Sequence, residues 1–371
     1  MIRWTPDDRR QRAAYLALAL TPGLGAARFA LLQQACDSPL GAISAPFAFL
    51  RAIPGITRAA ASAIRGTDVA AGERMLADAE RIGALALLPQ DPAFPTTLRE
   101  IPDPPLALFV QGDASLLGRS GIAVVGSRHH TDYGAAACRL VVEAAVAGGG
   151  VVVSGMARGI DAIAHATALD LGGSTVGVLG NGLGVVYPAA NRALYDRVAH
   201  AGALVSEYPP GERPRVYAFP RRNRLISGLV RATVVVEAAH GSGALITAGA
   251  ALEQGRDVLA VPGPITASTS LGTNALIRDG AAPFLTAEDL SRYLPAPPAK
   301  RAAVAAALLP PELPPAERRI AEALMMADAD ADGLAERFGL PAAETLALVT
   351  ALELRGLVET LPGARIRLRV P

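Results

Sequence analysis

Six short apolar runs between residues 121 and 263 alternate with segments of helical pattern, and this alternation restricts the fold more than any other feature. Such continuous apolar runs are typical of parallel strands that helices cover on both faces. We therefore predict an α/β fold with a Rossmann-like, doubly wound and mostly parallel sheet. The predicted strands are GIAVVG (121–126), VVVSG (151–155), TVGVLG (175–180), ALVSEY (203–208), TVVVEA (233–238) and DVLAVPG (257–263).

The region before this sheet, residues 1–82, is Ala-rich and helical in pattern. Pro-Gly turns interrupt it at TPGLG (21–25) and IPGIT (53–57), which predicts an all-α domain of the helix-hairpin-helix or SAM-like kind. Such turns can offer backbone amides to a phosphate, or they can serve only as connectors between helices. Turn chemistry alone leaves both interpretations open.

The α/β domain is predicted to span residues 83–294, with the short apolar runs at 84–88 and 106–110 as edge strands. A Pro/Ala-rich linker is expected at 295–315. Residues 316–371 contain three helical runs followed by the strand-like IRLRV, an order that predicts a winged-helix domain. A generic three-helix cap is the alternative.

Composition excludes several classes of protein. No apolar stretch approaches the ~18 to 20 residues of a membrane span, and the charged N-terminus does not look like a secretory signal. Cys36 and Cys138 have no metal-ligand spacing, so we expect a cytoplasmic protein without a metal site. Because Lys300 is the only lysine, a phosphate loop of the Gly-Lys-Ser/Thr type is excluded, as is a buried Schiff-base lysine.

Small and polar residues end most of the predicted strands. Ligands of an open parallel sheet bind beyond the carboxyl ends of its strands, and backbone amides at helix N-termini bind phosphates. Several such ends meet at one edge here, which suits an anion with more than one phosphate. The candidate phosphate-binding residues are Gly126, Ser127, Arg128, Ser154, Gly155, Arg158, Gly159, Ser242 and Gly243.

A basic run, RPRVYAFPRRNRLISGLVR (213–231), contains six arginines and no acidic residue. Basic runs are usually solvated faces, but this one enters a helix at the same sheet edge as the glycine loops. We therefore predict an anion groove that includes Arg221, Arg222, Asn223 and Arg224. A row of arginines beside several amide sites suits a chain of phosphates better than a single cofactor, bound through its backbone with little preference for sequence.

The case for catalysis is weaker. Asp161 and His165 are four residues apart and could form an acid/base pair or half a metal site. A structural role is favoured, because an acid in the first turn of a helix is stabilised by the helix dipole. The first strand-to-helix turn, GSRHHTDYG (126–134), lacks the GxGxxG pattern of dinucleotide sites. We predict neither an enzyme nor a bound cofactor.

Six motifs taken together, in conserved order and spacing between about 120 and 285, closely resemble the DNA-processing protein A (DprA/Smf) family. They are GIAVVGSR (121–128), VVSGMARGIDAIAH (152–165), SEYPPG (206–211), FPRRNRLISGL (219–229), VVEAAHGSGALIT (235–247) and EQGRDVLAVPG (253–263). The flanking regions resemble the family's helical N-terminal domain and winged helix less specifically. In two respects the chain departs from the family: Ala244 replaces a more usual serine, and arginines replace groove lysines.

The resemblance implies sequence-independent binding of single-stranded DNA, loading of a RecA-type recombinase during natural transformation, and a homodimer formed through the α/β domain. It places the motif residues Arg128, Ser154, Gly155, Arg158, Gly159, Arg221 to Arg224, Ser242 and Gly243 along the DNA. For the dimer contact we expect the apolar positions near Leu276 and Ile277.

Two other functions remain as alternatives. A phosphoribohydrolase of the lysine-decarboxylase-like type would carry a catalytic glutamate in a PGGxGTxxE segment, whereas this chain has HGSGALITAGAALE (240–253) with Glu253 too far along. A regulator acting through the winged helix would bind duplex DNA. Five acidic residues between 317 and 332 argue against that role and make contact with a protein at least as plausible.

Overall fold

A computed structural model describes residues 8–295, 309–310, 313–326, 329–361 and 365–369. The chain divides into two compact units, Met1–Pro295 and Ala296–Pro371, which are treated separately below. Most of the predicted linker at 295–315 lies outside the described residues.

Six helices precede the first strand. Side chains of Asp8, Ser38, Thr57 and Asp68 accept a backbone N–H at the start of four of them. Both predicted Pro-Gly breaks separate helices. The helices are α1 (Arg9–Ala19), α2 (Ala26–Ala35), α3 (Pro39–Ser44), α4 (Phe47–Ala52), α5 (Arg58–Arg65) and α6 (Val69–Arg81).

A nine-stranded sheet follows, in the order β1-β2-β6-β5-β4-β3-β7-β8-β9. In this spatial order, every pair of adjacent strands from β6 through β5, β4, β3, β7 and β8 to β9 is parallel. The pairs β1–β2 and β2–β6 are antiparallel. The mostly parallel, doubly wound prediction is confirmed. The strands are β1 (Ala84–Leu87), β2 (Leu108–Gly112), β3 (Gly121–Val125), β4 (Val151–Ser154), β5 (Thr175–Leu179), β6 (Ala203–Ser206), β7 (Ala232–Val235), β8 (Asp257–Ala260) and β9 (Ala282–Pro283).

The prediction that the run at 106–110 forms an edge strand is wrong. Strand β2 lies between β1 and β6, so β1 alone of the pair is at the edge. Pro104 and Pro105 precede β2 rather than interrupt it, so the strand keeps the N–H groups that two neighbours require.

Helices cover both faces of the sheet. Residues of α8 and α9 pack with Ile122 and Val124 on one face, and residues of α11 and α12 pack with Ala123 and Val125 on the other. This alternation along β3 follows from the two-residue period of a strand. The helices are α7 (Thr96–Arg99), α8 (Asp132–Ala147), α9 (Ile160–Asp170), α10 (Arg192–Ala201), α11 (Ala218–Gly228), α12 (Gly243–Glu253) and α13 (Leu271–Arg278).

The N-terminal helices share an apolar core with one end of the sheet. Tyr15 and Phe29 are fully buried there, in a cluster that continues to Phe109 of β2 and Val198 of α10. Within the described residues, no helix is long and apolar enough to cross a membrane.

The second unit has the predicted winged-helix order. Three helices are followed by a hairpin, and the strands pair in the order β10-β12-β11. Leu324, Leu334 and Leu352 form part of its core. The elements are α14 (Pro315–Met326), β10 (Ala329–Asp330), α15 (Ala331–Phe338), α16 (Ala342–Leu354), β11 (Val358–Leu361) and β12 (Arg365–Leu368).

Candidate nucleic-acid interface

The topology of the sheet determines where a ligand can bind. From β3 the chain proceeds to β4 on one side, and from β7 it proceeds to β8 on the other, so the connections diverge between β3 and β7. Doubly wound sheets bind ligands at such a switch point, beyond the carboxyl ends of the strands. Two adjacent cavities open there: cavity A, of about 420 Å³, and cavity B, of about 430 Å³.

The two cavities form one cleft, because they share part of their lining. Arg128, Phe219 and Arg222 border both. Cavity A continues along the loops after β3 and β7, and cavity B continues along the loops after β4 and β5. Of the predicted phosphate-binding residues, the cleft brings together Gly126, Ser127, Arg128, Gly155, Arg158, Arg222, Asn223, Ser242 and Gly243.

The loop after β3 forms the wall of cavity A and is packed against the start of α9. A Cβ at Gly126 would lie 2.7 Å from Ile160 Cγ1, and a Cβ at Gly159 would lie 2.2 Å from the Ser127 carbonyl oxygen. Gly159 also has φ of +78°, which favours glycine. Gly159 therefore supports the loop from behind and is not among the residues that line either cavity.

The N-terminus of α12 forms the opposite wall. Ser242 caps this 11-residue helix, and its hydroxyl accepts the Ala244 N–H at 3.3 Å. Ser242, Gly243 and Ala244 all line cavity A, where the positive end of the helix dipole favours an anion. Ala244 lacks the hydroxyl of the serine that is more usual in the family but keeps its backbone N–H. This N–H already donates to the capping hydroxyl of Ser242.

The hydroxyl of Ser154 does not face the cleft, which corrects the expectation that this side chain lines the DNA. Ser154 is fully buried and donates to the Val124 carbonyl at 2.6 Å. Its hydrogen bond joins β4 to β3 just before both strands end. The residue after Gly155, Met156, is buried with φ of +55°, a left-handed conformation that a non-glycine residue rarely adopts.

Arg222 lies beneath the cleft with its side chain almost completely buried. It donates from Nη1 to the Gly155 carbonyl at 2.6 Å and to the Val178 carbonyl. Burial lowers the pKa of Arg222 to about 10, so the guanidinium remains charged at neutral pH. A Cβ at Gly155 would lie 2.7 Å from Arg222 Nη2, which explains the glycine there.

Asp161 organises the same loop from the first turn of α9. Its Oδ2 accepts the Gly155 N–H at 3.1 Å and the Ala157 N–H at 3.4 Å. Burial raises the pKa of Asp161, while the charge of Arg222 opposes that shift. This carboxylate is engaged by backbone amides, as expected for its structural interpretation.

His165 is fully buried, and both of its ring nitrogens have partners. The Thr175 hydroxyl donates to the Val152 carbonyl at 2.7 Å, so it accepts the Nδ1–H of His165, also at 2.7 Å. The Met156 N–H donates to Nε2 at 3.4 Å. Burial lowers the pKa of His165 to about 3, which keeps the ring neutral. No group of three potential metal ligands occurs among the described residues.

Arg221 and Arg224 do not line either cavity, which corrects the prediction for them. Arg224 Nη2 lies 2.6 Å from Glu207 Oε1, and its Nε lies 3.1 Å from Asp103 Oδ2. Arg221 lies 3.8 Å from Glu207. The physical reason is helical periodicity: within α11, Arg221 and Arg224 are three residues apart and share a face, whereas Arg222 lies on a different face.

Arg128 and Arg158 are the exposed cations of the cleft. Arg128 lies between the cavities and Arg158 borders cavity B. Within residues 8–295, neither guanidinium forms a hydrogen bond or ion pair, so both are available to an anion.

An aromatic pair borders the cleft, and sequence reasoning missed half of it. The rings of Tyr187 and Phe219 lie with centroids 5.3 Å apart, and Tyr187 is 47% exposed. Phe219 belongs to the basic run at 213–231, whereas Tyr187 lies outside every segment predicted to form the site. It follows the glycine loop after β5, at the same edge as the other candidates, and that position is the signal that could have found it.

The remaining candidates lie elsewhere. Glu253 is exposed at the last residue of α12, about 15 Å of helix from Gly243, so it is not part of the cleft. Leu276 and Ile277 are half-buried on α13, and Leu276 packs partly against the core of the sheet.

Fold and cleft together define a doubly wound α/β protein with a cleft at its switch point, followed along the chain by a winged helix. Residues 86–295 match the sequence profile of DNA recombination-mediator protein A, and residues 296–364 match that of the DprA winged helix domain. The chain therefore belongs to the DNA recombination-mediator protein A (DprA/Smf) family.

Individual relatives agree with this assignment. Protein Smf of Escherichia coli is 40% identical over 295 residues, covering 76% of this chain and 77% of the relative. DNA processing protein DprA of Streptococcus pneumoniae is 44% identical over 200 residues, or 54% of this chain and 71% of that protein.

Two solved structures are similar in fold. The DNA processing protein A of Streptococcus pneumoniae has a TM-score of 0.67 at 33% identity, covering 77% of this chain and 98% of that one. The DNA processing protein A of Helicobacter pylori, studied for its single-stranded DNA binding mode, has a TM-score of 0.51 at 27% identity. That similarity covers 56% of this chain and 94% of the other.

Proposed function

We propose that this protein binds single-stranded DNA in the cleft without catalysing a reaction on it. The observation that carries the proposal is the pair of joined cavities at the switch point, with Arg128 and Phe219 between them. A ligand that occupies both cavities must offer anionic groups at intervals and a flat apolar group near the rings. Unpaired nucleic acid has both.

The chemistry of each wall suggests how a strand would be held. Phosphates suit the N-terminus of α12 and the unpaired guanidiniums of Arg128 and Arg158, because charge-assisted hydrogen bonds to phosphate are strong. A base can stack on Tyr187 or Phe219, since every base has a π-face. These contacts read no base edge, so binding is expected to be largely independent of sequence.

The similarity to the Helicobacter pylori protein supports this proposal, since that structure was determined for its single-stranded DNA binding mode. The family description as a recombination mediator suggests the consequence. We propose that the protein delivers the bound strand to a RecA-type recombinase in the cytoplasm, including DNA taken up during natural transformation.

A homodimer formed through the α/β domain is part of the proposal. The half-buried Leu276 and Ile277 lie on α13, near Leu271, which is 49% exposed. Sedimentation of the wild-type protein and an Ile277→Arg variant tests the contact. A dimer that the variant dissociates supports it, and a monomer in both contradicts it.

A competition between ligands tests the binding proposal. Fluorescent oligo-dT is displaced from the purified protein by unlabelled oligo-dT, by duplex of equal length, or by a mononucleotide. We expect oligo-dT to compete best, because a mononucleotide can fill only one cavity. Equal competition by the mononucleotide would instead indicate a small-molecule site. Faster recombinase filament formation on protein-bound dT would support the mediator role.

A further inference from the structure

The two Pro-Gly turns of the N-terminal helices lie side by side, and an arginine joins them. Arg28 donates from Nη1 to the Gly23 carbonyl at 2.8 Å and from Nε to the Gly55 carbonyl at 3.1 Å. Both glycines have positive φ, +79° and +87°. The second turn also packs on α2, because a Cβ at Gly55 would lie 2.9 Å from Leu31 Cδ1.

Further guanidiniums surround the same place. Arg51 donates from Nη1 to the Ile56 carbonyl at 2.6 Å, so Arg28 and Arg51 are anchored to consecutive carbonyl groups. Arg58 begins α5 directly after this turn. Arg65 lies seven residues further, on the same helix face and about 10 Å away. We call these four arginines, with the two turns, the turn surface.

The turn surface carries a local excess of positive charge, and the nearest acid after it in sequence, Asp68, is paired with Arg74 at 2.9 Å. Residues 20–66 contain these four arginines and a single acid, Asp37, which lies beyond the far end of α2. Ten residues of helix span about 15 Å, so Asp37 is remote from the turns. Within the described part of the chain, none of the four arginines forms an ion pair. A guanidinium has five donors, and Arg28 uses two of them here.

The chain carries a net charge of only +1, so this local excess is not a consequence of a basic composition. Four cations spread along helices α2, α4 and α5 beside two adjacent turns match a repeated anion better than a single small one. Double-stranded DNA presents about one charge per 1.7 Å of helix axis in a rigid array, with its bases stacked inside. We propose that the turn surface binds the phosphate backbone of double-stranded DNA, separately from the cleft.

Charge reversal tests the proposal in the full chain. Arg58→Glu with Arg65→Glu changes two exposed residues whose side chains form no hydrogen bond or ion pair with another described residue. Fluorescence anisotropy titrations would use a duplex, oligo-dT of equal length, and a duplex with a dT tail. The matched control is Arg10→Glu with Arg139→Glu, which alters net charge equally at exposed positions away from both surfaces.

We expect about tenfold weaker duplex binding and a salt slope shallower by roughly 2, since each lost phosphate contact removes about 0.9. Oligo-dT binding and the control should be unchanged, and Arg58→Lys with Arg65→Lys should restore duplex binding. An unaltered duplex titration, or an equal loss for oligo-dT or in the control, would overturn the proposal. A wild-type protein that binds oligo-dT but no duplex would overturn this proposal alone, leaving the cleft proposal intact.

Discussion

The two faces of helix α11 contact different parts of the molecule, and the sequence of the helix does not indicate this difference. On one face, Phe219, Arg222, Asn223 and Ile226 border cavity A, at the spacing of adjacent helical turns. On the other face, Arg221 and Arg224 lie against Glu207. Adjacent arginines in one basic run therefore have unrelated roles.

The buried Arg222 and the partly buried Arg224 also differ in the groups that they contact. Arg224 has a carboxylate partner in direct contact, whereas Arg222 donates to backbone carbonyls and lies near Asp161. The first arrangement fixes α11 to the loop after β6, and the second shapes the floor of the cleft. Counting charges in the run consequently overestimates the cations that DNA can contact.

The largest effect is expected for Arg222→Ala. Removing a buried charge that offsets another costs about 3 kcal/mol or more, and here it also removes the support of the Gly155 carbonyl. Urea unfolding should show the loss, and oligo-dT binding should nearly disappear. Arg222→Lys should retain more stability, because it keeps the charge. Full stability in the alanine variant would contradict the role assigned to this residue.

For Arg222→Ala, we also expect the loss in unfolding free energy to depend on pH. Without Arg222, burial raises the pKa of Asp161 further above its unfolded value of about 3.9. A carboxyl whose pKa is raised by folding loses stability as the pH rises above the unfolded value. The difference in unfolding free energy between wild type and variant should therefore grow as the pH rises through the acid range towards neutrality, beginning once the pH exceeds the raised pKa that Asp161 has in the folded wild type. A difference that stays constant over this range would show that Asp161 is not coupled to Arg222.

On the outer face, Arg224→Ala should lower stability while leaving the cleft intact. Glu207 and Arg224 are each only 12% exposed, and breaking such a pair costs about 3 kcal/mol. At temperatures where the variant is folded, oligo-dT affinity should equal that of wild type. If affinity fell as far as in Arg222→Ala, the two faces of α11 would not be distinct.

Much of the fold was predictable from sequence because it depends on local pattern. Apolar runs with helical segments between them identified β3 to β8, and the switch-point rule placed the candidate site at the edge where the two cavities open. Gly159 was informative for a similar reason. Its positive φ favours glycine, and the Ser127 carbonyl behind it leaves no room for a Cβ.

The functions of individual side chains were harder to predict because they depend on helix phase and burial. Treating residues 213–231 as one basic run concealed which arginines of α11 share a face. Ser154 was read as a ligand because it ends a strand, yet its hydroxyl joins β4 to β3. Nothing in the sequence alone specifies that Arg222 is buried beneath the cleft while Arg128 is exposed between its two cavities.

Substitution of an exposed cation of the cleft is expected to have a smaller effect. Arg128→Ala should weaken oligo-dT binding about tenfold and reduce the salt slope by about 0.7, the value for one phosphate contact on a single strand. Arg158→Ala should act in the same direction. Arg221→Ala is the matched control, because it removes an exposed guanidinium outside both cavities. Equal slopes in all three variants would remove the cleft from the phosphate path.

The smallest effect is expected for Tyr187→Ala, and it separates stacking from charge. Stacking on an aromatic ring contributes about 1 to 3 kcal/mol per base, and the neighbouring Phe219 ring remains in this variant, so a several-fold loss of oligo-dT affinity is expected. The salt slope should not change, since no phosphate contact is lost. Tyr187→Phe should bind like wild type, because the ring is kept. A loss in the phenylalanine variant as large as in the alanine variant would assign the contact to the hydroxyl instead of the ring, and the cleft would then bind its ligand by polar groups alone.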